Sequence, residues 1–138
     1  MTIDEYYEKI KSPDWRWWLI TENVYAKNLN RIHPLKQRQV ETICKVAREC
    51  EAVDQIIIFG SSTTYKCNSC SDLDICIKWK GSPFDEDGMY PTPEAGALFR
   101  CIGDVCRGNG GYDLIFWEEL DGAVVENAVK KEGVIVYE

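Results

Sequence analysis

Long apolar runs are missing from this 138-residue chain. No stretch approaches the ~20 consecutive apolar residues of a membrane-spanning helix, and Met1-Thr2-Ile3-Asp4-Glu5 lacks the basic-then-apolar order of a signal peptide. A cytoplasmic protein with no membrane contact is the expectation. Basic residues are also scarce: 16 Lys and Arg stand against 23 Asp and Glu, a formal charge of −7. Affinity for DNA or RNA rests on clustered cations, so nucleic acid is disfavoured as a partner, although a local basic patch is compatible with the balance. Histidine is nearly absent. His33 stands alone before Pro34, where a loop or helix-cap role is the simplest reading. Neither a His pair nor a second CxxC accompanies Cys67-Asn68-Ser69-Cys70, so two of the four ligands of a structural zinc site are lacking. An exposed loop pair is the expectation there, with reversible oxidation as the alternative. Internal repeats and low-complexity tracts are absent too.

What is present suits one compact domain, 1–138, with a hydrophobic content of 45%. Seven cysteines are an odd number in a chain without a secretion signal, so reduced thiols are expected. Cys44 falls on the apolar stripe Val40, Ile43, Cys44, Ala47, and Cys106 on the stripe Leu98, Ile102, Val105, Cys106, which makes both core residues. A helical N-terminal part, 1–50, is expected before a core spanning 51–138. Ser12-Pro13-Asp14 reads as a helix start, giving a helix over about Pro13 to Asn30 and, after His33-Pro34, a second over Pro34 to Cys50. Strands are predicted near Gln55 to Phe59, Asp72 to Lys78, Tyr112 to Trp117 and Val134 to Tyr137. Further helices are predicted near Thr92 to Arg107 and Asp121 to Lys131, with Lys80 to Pro93 as a loop. Trp15, Trp17 and Trp18 cannot all share one helix face, which leaves one for solvent or another chain.

The chemistry concentrates in two segments. Ile56-Ile57-Ile58-Phe59 is an apolar strand that runs into Gly60-Ser61, where glycine lets the backbone approach a phosphate and turn amides and the Ser hydroxyl can donate to it. A polar stretch, Ser62 to Ser71, leads to Asp72-Leu73-Asp74. Period-two alternation puts both acids on one strand face with Leu73 in the core. Carboxylates so close repel one another unless a divalent cation keeps both ionised. A third acid, Asp113, opens the strongly apolar strand Tyr112-Asp113-Leu114-Ile115-Phe116. If that strand lies beside the Asp72/Asp74 strand, three carboxylates meet around one or two Mg²⁺ ions. Taken singly, a Gly-Ser turn is ordinary punctuation and an Asp-x-Asp a solvated strand face; their order, together with Asp113, is what points to a site.

These residues, with Lys131-Glu132-Gly133-Val134-Ile135-Val136-Tyr137, resemble the minimal nucleotidyltransferase group of the DNA polymerase beta superfamily. Its signature is an apolar strand, Gly-Ser, a gap of this length, Asp-x-Asp and a later third Asp. The resemblance implies an α/β (α+β) nucleotidyltransferase fold, a small mixed β-sheet flanked by helices, here with an N-terminal helical extension. It implies Mg²⁺-dependent transfer of a nucleoside monophosphate, AMP above all, from an NTP such as ATP, with release of pyrophosphate. Asp72, Asp74 and Asp113 would be the catalytic and metal-binding residues, two ions included, with Asp113 also able to take the acceptor proton. Gly60, Ser61, Ser62 and Lys66 would bind the nucleotide. One departure stands out: the family often has a basic residue just after Gly-Ser, whereas Ser62, Thr63 and Thr64 follow here and Lys66 is the first cation.

Three functional expectations follow. The first is transfer to a hydroxyl of a protein partner, as in small antitoxins of this group that modify a helical HEPN-type toxin, with self-association as another way to complete an acceptor site. The second is transfer to a small molecule of the aminoglycoside type, and the third is a non-catalytic nucleotide-binding regulator.

Overall fold

The computed structural model describes residues 1–138. Proline and a side-chain cap set the start of both long helices. At α2 (Pro34–Ala47), Pro34 takes the first turn and His33 Nδ1 accepts from Leu35 N at 3.2 Å. At α3 (Pro93–Cys106), Pro93 takes the first turn and Thr92 Oγ1 accepts from Ala95 N at 3.2 Å. Each then buries one apolar stripe: Val40, Ile43, Cys44 and Ala47 on α2, and Ala95, Leu98, Ile102 and Cys106 on α3.

Four strands receive them: β1 (Val53–Phe59), β2 (Leu73–Trp79), β3 (Tyr112–Phe116) and β4 (Val134–Tyr137), in the order β3-β2-β1-β4. The pairing of β1 with β2 and with β4 is antiparallel, and that of β2 with β3 is parallel. A parallel pair needs a crossover, and α3 supplies it. Alternation along the strands divides the residues between two faces. Ile56, Ile58, Leu73, Ile75 and Ile77 join α2 and α3 in the main core, while Ile57, Phe59 and Cys76 join Val129 of α4 (Ala123–Lys130) in a smaller one. The result is a mixed α+β domain with four helices and a four-stranded mixed sheet. None of its helices is long and apolar enough to cross a membrane.

The N-terminal part departs from expectation. A short helix, α1 (Ile3–Ile10), begins with a Thr2/Glu5 capping box, a signal visible in the sequence. The helix expected over Pro13 to Asn30 does not form; apart from a 3-10 turn at Leu29–Arg31 the chain there is irregular. Ser12 Oγ closes a local turn by accepting from Asp14 N at 3.2 Å, where a helix cap was expected. Farther along, α2 satisfies the backbone from outside. Gln37 accepts from Ile20 N at 2.9 Å and donates to Trp18 O at 2.9 Å and Ile32 O at 3.0 Å. The buried Glu41 carboxylate accepts from Val24 N at 2.6 Å, Tyr25 N at 3.0 Å and Ala26 N at 2.7 Å. Charge-assisted bonds of this kind outweigh the helical preference of the segment. The tryptophans separate accordingly: Trp17 is buried, Trp15 half-buried and Trp18 exposed.

Glu41 therefore holds the N-terminal arm to the domain. Glu41→Ala leaves three backbone donors without their acceptor and is expected to lower unfolding stability by about 2–4 kcal/mol, with Glu41→Gln losing less. Urea denaturation reads this directly. An alanine variant as stable as the parent would contradict the role.

Candidate active site

β1 ends where the chain must turn sharply past a carboxylate. Gly60 has φ +74°, and a Cβ at this position would overlap the Asp74 carboxyl group, so both the backbone angle and the space require glycine. The 3-10 turn Gly60–Thr63 is braced by its own hydroxyls, Thr63 Oγ1 donating to Gly60 O at 2.9 Å and Thr64 Oγ1 to Ser61 O at 3.0 Å. Two adjacent serines part company here. Ser61 is half-buried, and its hydroxyl makes no hydrogen bond within the protein. Ser62 is fully buried; its hydroxyl donates to Asp72 O at 3.3 Å and its carbonyl accepts from His33 N at 2.8 Å. Ser62, counted by its place in sequence among nucleotide contacts, faces inward and ties the turn to the Asp72 backbone. Lys66 is exposed and lines a cavity that also touches Gly60.

The carboxylates are brought together by strand register. In the parallel pair Asp74 lies opposite Asp113 and Leu73 opposite Tyr112, with Leu73 N donating to Gly111 O at 3.0 Å. Neighbouring strands are about 4.8 Å apart, so Asp74 and Asp113 leave the sheet side by side on the same face. Asp72, exposed just before β2, joins them two residues earlier. Two left-handed glycines make this approach possible. Gly110 (φ +91°) packs so closely on the Ser71 backbone that a Cβ would overlap it, and the Asp72 Oδ1 oxygen lies 3.6 Å from where a Cβ of Gly111 would stand.

The electrostatic consequence falls on Asp74. Its half-buried carboxyl is pushed up from 3.8 to about 6, first by desolvation and then by the charges of Asp113 and Asp72. No Lys or Arg forms an ion pair with any of the three acids. Uncompensated charge on clustered oxygen donors is the chemistry that a hard divalent cation relieves. The three acids fit such an ion in donor type. Their spacing is looser than a chelate, since no three His, Cys, Asp or Glu side chains are drawn together closely enough to hold a metal.

One supporting residue escapes a motif search. Lys36 is 1% exposed, and its ammonium donates to Asn109 O at 2.6 Å, anchoring the glycine-rich loop that delivers β3. The spacing of Lys36 with Val40, Ile43 and Ala47 on one helix stripe is the signal that places it inward. Cys67 is buried and Cys70 exposed, and all seven cysteines are free thiols. His33 is a helix cap, as expected, and burial followed by the Lys36 charge keeps it below the ordinary histidine range.

What fold and site define together is a mixed α+β domain with an acidic cluster beside a glycine turn. No protein-family model matches the chain, and comparison with curated proteins gives no match.

The raised Asp74 carboxyl has a signed consequence for stability. Between about pH 4 and 6 the folded chain binds more protons at this position than the unfolded chain, so stability falls as pH rises through that window. The cost is complete above about pH 6 and absent below about pH 4. Allowing for solvent screening of a half-exposed group, Asp74→Asn is expected to be more stable than the parent by about 1–2 kcal/mol near neutral pH, with the difference vanishing at about pH 4. Thermal unfolding at both pH values tests this. A parent at least as stable as the variant at neutral pH would overturn it.

Proposed function

We propose that this chain is a divalent-cation-dependent nucleotidyltransferase of the minimal type, moving a nucleoside monophosphate, AMP above all, from an NTP to an acceptor hydroxyl. The observation that carries the reading is the register pairing of Asp74 with Asp113, with Asp72 alongside and the Gly60 turn against Asp74. The order of elements supports it as well: apolar strand, Gly-Ser turn, Asp-x-Asp strand, helical crossover, Asp strand. Seven free thiols suit a reducing compartment such as the cytoplasm.

In this reading Asp72, Asp74 and Asp113 hold the cation, one Mg²⁺ or two. When bound, Mg²⁺ neutralises phosphate charge and lowers the pKa of the acceptor hydroxyl. The rest belongs to the chain. Ser61, with its hydroxyl free, donates to a phosphate oxygen, and the Gly60 backbone allows the close approach. Asp113, the exposed acid at the start of β3, takes the proton of the attacking hydroxyl. Catalysis is then mostly positioning and electrostatics. The acceptor in this reading is a hydroxyl on a protein partner, in line with the resemblance to antitoxins of the group. The looser-than-chelate spacing of the acids favours one second reading, a nucleotide-binding regulator without turnover.

A thermal-shift titration with ATP, GTP, CTP and UTP, with and without Mg²⁺, separates the two. A ligand at a hundred times its dissociation constant adds about 2.7 kcal/mol, several degrees for a domain of this size. Transfer predicts a Mg²⁺-dependent shift that is lost in Asp72→Ala, with pyrophosphate release abolished in Asp113→Asn. A shift without any pyrophosphate release, even when candidate acceptors are supplied, favours the regulator. Full activity in Asp113→Asn would contradict the proposed triad.

A further inference from the structure

A cavity of about 540 Å³ lies on the β4 side of the Gly60 turn. That volume falls in the usual range of small-molecule sites, roughly 300–1,000 Å³. Its lining reverses the charge of the chain: Lys11, Arg31, Lys66 and Lys131 surround it against one acid, Glu132. Only Lys11 is engaged in an ion pair, an exposed one with Glu8 at 3.6 Å, while Arg31, Lys66 and Lys131 have no acidic partner. In a chain with 23 acidic and 16 basic residues, four cations against one acid around one cavity are a local reversal of the overall charge balance. The half-buried Trp15 is a further wall of the cavity, and its indole N–H is buried without a hydrogen-bond partner. A donor left so is costly unless something accepts from it.

The four cations come from far apart in sequence. Lys11 and Arg31 belong to the N-terminal arm that Gln37 and Glu41 fasten to α2, Lys66 follows the Gly60 turn, and Lys131 precedes β4. Across the sheet, the order β3-β2-β1-β4 places Asp113, Asp74, the Gly60 turn and then this cavity in sequence. A chain of phosphates that starts at the carboxylates and passes over Gly60 would end among the cations.

We infer that this cavity binds the polyphosphate end of the nucleotide, with Arg31, Lys66, Lys131 and the arm residue Lys11 standing in for the basic residue missing after Gly60-Ser61. The inference rests on the nucleotidyl-transfer reading for the source of the phosphates. The cation set alone is complementary to a polyphosphate whatever its source. Arginine supplies paired donors and the lysines point charges, a combination suited to several linked phosphate groups. The N-terminal arm is thereby part of the binding site, and its irregular path is the geometry that brings Lys11, Trp15 and Arg31 to one opening.

The test uses the full chain without divalent metal, titrated with inorganic tripolyphosphate and, separately, sulfate, with binding read by calorimetry and tryptophan fluorescence. Tripolyphosphate is expected to bind in preference to sulfate, and Arg31→Gln/Lys131→Gln to weaken it about tenfold or more. The variant's own melting temperature should match the parent's, since both side chains lack partners. Asp74→Asn should bind at least as tightly as the parent, because it removes a nearby negative charge. ATP should displace tripolyphosphate. No preference over sulfate, or equal binding by the double variant, overturns the inference. Tripolyphosphate that binds but resists displacement by ATP overturns the nucleotide as its source. Binding that behaves as expected in a protein with no transfer activity counts against the proposed reaction and upholds the cavity.

Discussion

Parallel pairing of β2 with β3 is the constraint on which the candidate site depends. Register alone sets Asp74 against Asp113, and nothing nearby neutralises them. Much of the surrounding structure serves this pairing. The crossover helix α3 packs on α2 in the main core and returns the chain to the correct edge of β2. Gly110 and Gly111 let the incoming loop pass against Ser71 and Asp72, and Lys36 fixes that loop from below through Asn109 O. A buried ammonium with a carbonyl partner and no counter-ion is an expensive support.

The two sides of Gly60 carry opposite charge. On one side the half-buried Asp74 carboxyl lies near the exposed Asp72 and Asp113, and on the other four cations surround a cavity. A glycine with no side chain separates them, so a ligand could run from one to the other without meeting a Cβ. Under the proposed function, a cation-bound polyphosphate would lie across the glycine turn, with the metal at the acidic end and the free phosphate charge at the basic one. The overall charge of −7 conceals this, because the division is local.

The sequence made the core of the domain readable where local pattern and tertiary structure agree. β4 falls on Val134–Tyr137 as read, and α2 and α3 begin at prolines preceded by a capping side chain. β1 starts two residues earlier than alternation suggests, at Val53, because a register irregularity between Val53 and Gln55 interrupts the pattern. Alternation suggests a strand face shared by Asp72 and Asp74, but Asp72 lies just before β2, and the approach of Asp74 to Asp113 depends on sheet order, which no local pattern encodes. The N-terminal arm departs from its local pattern for the same kind of reason. Its apolar residues can be drawn on a helix, yet Gln37 and Glu41 offer its backbone better partners from another element. The cation cavity was equally hidden, since residues 11, 31, 66 and 131 meet only in the folded chain.

Under the proposed function Asp72, Asp74 and Asp113 form one electrostatic unit whose charge a divalent cation would relieve. Carboxylate carbon NMR of the aspartates, titrated from about pH 3 to 9 with and without Mg²⁺, addresses it most directly. An Asp74 transition near 6 is expected in the absence of the ion, moving well down when Mg²⁺ is added because the cation competes with the proton. An Asp74 transition in the ordinary carboxylate range that does not respond to Mg²⁺ would contradict it.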